Sequence, residues 1–99
     1  SFAENSNSQN AKVNIITNNL TIGDFIDQVE KQTDYLFVYS KSEVNIDDAI
    51  AVNSGKKPVN QFLNEAFTQS GINYSFENDY IVLTKKAAPS IVQQQGRKI

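Results

Sequence analysis

The sequence predicts an α+β domain made of two βαβ repeats and a C-terminal β-hairpin. The pattern between Val13 and Tyr39 returns 37 residues later with residue class kept. Val13 falls on Ile50, Ile15 on Val52, Ile22 on Val59, Phe25 on Phe62, Ile26 on Leu63, Val29 on Ala66, Phe37 on Tyr74 and Tyr39 on Phe76. Within each copy a short apolar alternation, a loop, apolar residues at helical spacing and a second alternation read as strand, helix, strand. Asn78-Asp79 then sits between two alternating runs, the signature of a two-residue hairpin turn. Two copies are too few for an open solenoid, so the halves close on each other around one core.

Each element follows from its residues. Ser1 to Ala11 is rich in Ser, Asn and Gln and is expected to be disordered. Ser1 and Ala3 have the small-x-small spacing of a signal-peptidase site, an expectation that stands beside that of a cloning remnant. The first strand is Lys12 to Thr17, and Asn18-Asn19-Leu20 is a turn. Thr21 is placed as an N-cap with Asp24 three residues on, a capping-box relation, so helix 1 begins at Ile22. Ile22, Phe25, Ile26 and Val29 form its apolar stripe, and Asp27 and Lys31 pair across one turn. Asp34 stands where the helix stops, a site its repeat mate Gly71 suits by accepting the left-handed conformation.

The second strand, Tyr35 to Tyr39, is apolar on both faces: Leu36 and Val38 stand where the other repeat has Asn73 and Ser75. Two explanations follow. Either Val44 or Ile46 of the following loop covers Leu36 and Val38, or the strand lies near a sheet edge and accepts a strand from a partner, main-chain hydrogen bonds giving affinity and these two apolar side chains specificity. Ala49 to Asn53 is the third strand and Ser54 to Lys57 a turn, with Pro58 in the first turn of helix 2, Val59 to Ser70. Ile72 to Glu77 and Tyr80 to Thr84 form the hairpin. After Lys86 the period is lost, and residues 87–99 read as a linker to a following region.

Composition narrows the function classes. At 99 residues a second domain does not fit. The chain has no cysteine and no histidine, which removes disulfides, thiol nucleophiles and the commonest metal ligand and general base. Residues 1–84 hold all eleven acidic residues against five lysines, a net of −6, which repels phosphate backbones and argues against nucleic acid as a partner. No apolar run approaches the roughly 20 residues that span a bilayer, so no direct membrane insertion is expected.

Motifs for catalysis are missing. Asp47 and Asp48 point apart in extended chain, and Asp24 and Asp27 share a wet helix face. Gly55-Lys56 lacks the upstream Gly of a phosphate-binding loop, where Ile50 stands, and carries Lys57 where Ser or Thr must hold magnesium. Gly23, Gly55, Gly71 and Gly96 have no GxxG spacing for clamping RNA. A non-enzyme without cofactor or metal is expected.

The stretches LTIGDFIDQVEKQTDYLFVY, VNQFLNEAFTQSGINYSF and DYIVLTKK, within Val13 to Lys86, resemble the secretin and TonB short N-terminal domain, the STN domain. Asp34 departs from the usual Gly at the end of helix 1. The tail KKAAPSIVQQQGRKI resembles the run that leads toward the plug in SusC-like TonB-dependent receptors of Bacteroidetes. The resemblance implies two helices packed between two small sheets. It also implies a signalling domain, residues 12–86, on the periplasmic side of the outer membrane, with its own plug and barrel in cis. Its implied partner is the periplasmic domain of a FecR-like anti-sigma regulator, which frees an extracytoplasmic-function sigma factor during nutrient uptake. A module of a secretin, or of the anti-sigma regulator itself, is the alternative, with a structural or assembly role.

Overall fold

The chain alternates short strands with two helices, and the helices lie between small sheets. A computed structural model describes residues 10–68 and 70–86. The elements are β1 (Lys12–Ile15), β2 (Asn19–Thr21), α1 (Ile22–Gln32), β3 (Leu36–Val38), β4 (Ala49–Ala51), β5 (Gly55–Pro58), α2 (Val59–Phe67), β6 (Ile72–Glu77) and β7 (Tyr80–Lys85). The expected disordered start and C-terminal linker fall outside the described residues, apart from residues 10 and 11.

The α+β class, both helices and the hairpin are as the sequence predicts. The finer reading needs three corrections. The segments read as turns before each helix are strands, β2 and β5. The other strands of both repeats except β6 are shorter than expected, α2 ends at Phe67, and Pro58 closes β5 as the N-cap rather than opening the helix. Asp34 does not take the left-handed conformation: Asn78 is the only described non-glycine residue with positive φ. Instead α1 ends on Thr33, whose hydroxyl donates to the Val29 carbonyl (2.8 Å) and accepts from the Tyr35 N–H (3.1 Å), so one side chain satisfies the chain break. Gly71, at φ +79°, does use the left-handed region in the second repeat.

The two repeats interlock. β1 pairs antiparallel with β5, from Lys12 opposite Pro58 to Ile15 opposite Gly55, and β2 pairs antiparallel with β4, from Asn19 opposite Ala51 to Thr21 opposite Ala49. Moving every residue of the first register by the repeat period and exchanging the halves yields the second: Lys12 opposite Pro58 becomes Ala49 opposite Thr21. The repeats therefore exchange strands about a pseudo-two-fold axis, and neither half has a complete sheet of its own. The third sheet breaks the symmetry. Its order is β3-β7-β6, with β3 parallel and β6 antiparallel to the central β7.

Each helix packs on the ribbons with one side and on the three-stranded sheet with the other. Thr21 caps α1 through both bonds of the capping box, its hydroxyl accepting from the Asp24 N–H (3.1 Å) and the Asp24 carboxylate accepting from its own N–H (3.4 Å). The predicted stripes are the buried ones: Phe25, Val29, Val59, Phe62 and Leu63 are fully enclosed. Phe25 meets Phe67 edge-on at 5.6 Å and Phe37 at 6.2 Å, joining the two helices to the underside of the sheet. Among the described residues no helix is long and apolar enough to cross a membrane.

Candidate docking surface

The outward face of the three-stranded sheet is apolar at one side and polar at the other. Side chains alternate along a strand, so with Phe37 turned inward against Phe25, Leu36 and Val38 point out. In the parallel register Leu36 lies beside Tyr80 and Val38 beside Val82. Leu36 is 51% exposed, Val38 46% and Tyr80 47%, while Val82 is half-buried. On the far side of β7, Glu77 lies opposite Tyr80 and Ser75 opposite Val82, so the apolar strip ends in a polar rim.

Of the two explanations offered by the sequence for Leu36 and Val38, cover by the following loop does not occur. Val44 is buried in the core itself, and Ile46 lies on Gly23, where an added Cβ would come within 3.3 Å of it. The loop is tied there by backbone bonds from the N–H groups of Ile22 and Gly23 to the carbonyls of Asp48 and Ile46, both 2.9 Å, so it serves the start of α1 rather than the sheet. Among the described residues nothing covers Leu36 and Val38, which lie together on one face. Sequence reading missed that Tyr80 and Val82 extend it, because the parallel pairing of β3 with β7 joins segments more than 40 residues apart and has no local signal.

β3 is an edge strand, but its free edge is closed to an added strand. The Phe37 N–H, which points away from β7, donates to the Glu30 carboxylate (2.8 Å), and the Tyr35 N–H is taken by Thr33. Gln32 does the same for β1, its amide accepting from the Asn14 N–H (2.8 Å) and donating to the Asn14 carbonyl (2.9 Å). Polar side chains of α1 thus blunt the edges of the first repeat, a common protection against unwanted pairing. Whatever binds at Leu36 and Val38 meets side chains of the face, not open backbone.

One pair of charged groups has structural employment. Lys57 and Glu65 form a two-pronged ion pair (2.8 and 2.9 Å) mostly shielded from solvent, with the Lys57 ammonium 4.6 Å from the Phe62 ring centre. Partial burial alone would raise the Glu65 carboxyl, but hydrogen bonds from Lys57, the Asn53 N–H and Gln61 outweigh it and hold it below the usual carboxylate range. Glu65 lines a shallow concavity of about 430 Å³ between β4 and α2, bounded also by Ala51, Val52, Asn53, Asn64 and Thr68. Its only carboxylate is already committed to Lys57. Among the described residues no three carboxylates gather as a metal site would need.

The family model described as the secretin and TonB N terminus short domain matches residues 35–86, just over half of the chain. The chain belongs to the STN family. The match takes in β3, the whole second repeat and the closing hairpin, and the pseudo-symmetry extends the same architecture to the first. In fold this STN domain is similar to the ferripyoverdine receptor of the outer membrane of Pseudomonas aeruginosa, solved bound to ferripyoverdine. The TM-score is 0.61 at 20% identity, over 75% of this chain and 10% of that one, so the STN domain spans about a tenth of that receptor's length. No curated protein matches the sequence.

Proposed function

We propose that this STN domain is the periplasmic signalling domain of a TonB-dependent outer-membrane nutrient receptor of the SusC-like type. It is a docking module and not a catalyst, followed in cis by the plug and barrel. Its partner is the periplasmic domain of a FecR-like anti-sigma regulator, through which it controls an extracytoplasmic-function sigma factor. The observation that carries the reading is the contiguous strip of Leu36, Val38, Tyr80 and Val82, left in solvent among the described residues; Ile16 and Ile46 are also exposed but lie on separate loops, and the other large aliphatic residues are packed. Leaving two aliphatic side chains of a rigid sheet in water has no folding advantage, whereas a partner gains by covering them. Family membership and the receptor-like fold support the context, and the Lys85-Lys86 tail sequence suits attachment to a plug.

Titration of the chain with the periplasmic domain of the FecR-like regulator, followed by calorimetry, tests the proposal. Saturable binding that is lost on changing Leu36 and Val38 together to Ser supports it. No binding by the parent chain overturns the partner, and undiminished binding by the double variant overturns the surface.

A further inference from the structure

We propose that the open edge of β6 docks a second copy of this chain, forming a two-fold dimer through antiparallel β6–β6 pairing. β6 is six residues long and closes a two-residue turn with β7. In that geometry Glu77 and Tyr80 exchange both ladder bonds, and the alternation is fixed independently at the other end by the Lys86 N–H donating to the Gly71 carbonyl (2.9 Å). Residues 71, 73, 75 and 77 thus turn their backbone groups toward β7, while Ile72, Tyr74 and Phe76 turn theirs outward.

Nothing among the described residues caps the outward N–H groups of Tyr74 and Phe76. The contrast with β3 has a cause in sequence: the residue that caps Phe37 is Glu30, and the equivalent position beside Tyr74 is Phe67, which has no acceptor. The edge is also roomy and partly apolar. A cleft of about 220 Å³, lined in part by Thr68, Ile72 and Tyr74, runs beside it, and the Tyr74 and Phe76 rings are only half-buried.

Charge selects the occupant. In the antiparallel register that sets Tyr74 opposite its own copy, Ile72 lies opposite Phe76 and Glu77 opposite Gly71. By strand alternation Lys86, the ladder partner of Gly71, starts from the face that carries Glu77, with no side chain of Gly71 between them, and its ammonium bends into the cleft beside Thr68, Ile72 and Tyr74. Glu77 of each copy therefore reaches Lys86 of the other, twice by symmetry, in exchange for the present bond of the Lys86 ammonium to the Thr68 carbonyl (3.2 Å). The two acid-base contacts fit a second copy in one register. The dimer leaves the Leu36 and Val38 face free, since that lies at the opposite side of the sheet.

Amide exchange of the 99-residue chain, followed by NMR over a concentration series alongside sedimentation velocity, tests this. The expected result is that the Tyr74 and Phe76 amides slow as concentration rises, in step with the dimer fraction. Glu77→Lys and Lys86→Glu, neither in the core, should each weaken self-association about tenfold, and an equimolar mixture of the two should restore it. Protection independent of concentration would mean that another segment of the same chain fills the edge, and fast exchange at every concentration would mean that nothing does. Either result, or charge variants that associate like the parent, overturns the proposal.

Discussion

The two repeats bury the same stripe and present different surfaces. Phe25 and Phe62 occupy equivalent positions and both are fully enclosed, and the β1–β5 and β2–β4 ribbons have one register between them. Outward, the correspondence ends. The first repeat closes its strand edges with Glu30 and Gln32 and leaves Leu36 and Val38 uncovered. The second has Asn73 and Ser75 at those positions, places the Lys57–Glu65 pair where the first repeat has Leu20 and Gln28, and has no cap on its β6 edge among the described residues. The interior of such a duplicated domain is constrained by packing on both halves at once, while outward positions are free to diverge, so the divergences point to function.

The symmetric part can be broken most severely. Phe62→Ala should destabilise the domain by about 3–5 kcal/mol, and Phe25→Ala by a similar amount, since each leaves a cavity in a fully enclosed part of the core. Urea unfolding followed by circular dichroism measures this. Small domains hold about 5–15 kcal/mol in total, so either variant should be marginal, and a parent-like midpoint would show that the stripe is not shared.

Among asymmetric features the largest effect belongs to the ion pair. Glu65→Gln should cost about 1–2 kcal/mol, between the values for exposed and buried pairs, because Lys57 keeps its charge beside Phe62 without its counter-ion. The pH dependence has a definite sign. The folded Glu65 carboxyl lies below its unfolded value, so its contribution is fully present above the ordinary carboxylate range and is lost as pH falls through the folded value. Stability profiles of parent and variant should therefore converge on the acid side, and parallel profiles would contradict the assignment.

A smaller effect, about 1 kcal/mol, is expected from Glu30→Ala, which uncovers the Phe37 N–H at the edge of β3. Its sharper readout is local: exchange of the Phe37 amide should accelerate while that of Tyr74 is unchanged. The smallest effect on stability, within about 0.5 kcal/mol, is expected from Leu36→Ser with Val38→Ser, since both side chains are about half in water already. A melting temperature well below the parent's would show that they belong to the core.

The symmetric part was legible in sequence because a stripe repeated at constant offset is a local, redundant signal. β2 and β5 were not. Asn19-Leu20-Thr21 and Gly55-Lys56-Lys57-Pro58 lack an apolar alternation of useful length, and they become strands only by pairing with the other repeat. The unusual apolar face at Leu36 and Val38 was visible, since it lacks a counterpart at Asn73 and Ser75. Its exposure was not, because it depends on where the loop sends Val44 and Ile46. The chain break at Asp34 was misread for a related reason: Thr33, which makes the bonds, looked like an ordinary polar residue.

The central claim, that divergence between the repeats marks the docking face, is tested most directly by an NMR titration with the periplasmic domain of the FecR-like regulator. The account predicts that the amide signals of Leu36, Val38, Tyr80 and Val82 shift on binding while those of Leu20 and Ile50, in the ribbon shared by both repeats, stay in place. Shifts confined to the ribbons, with the signals of Leu36 and Val38 unmoved at saturation, would contradict it.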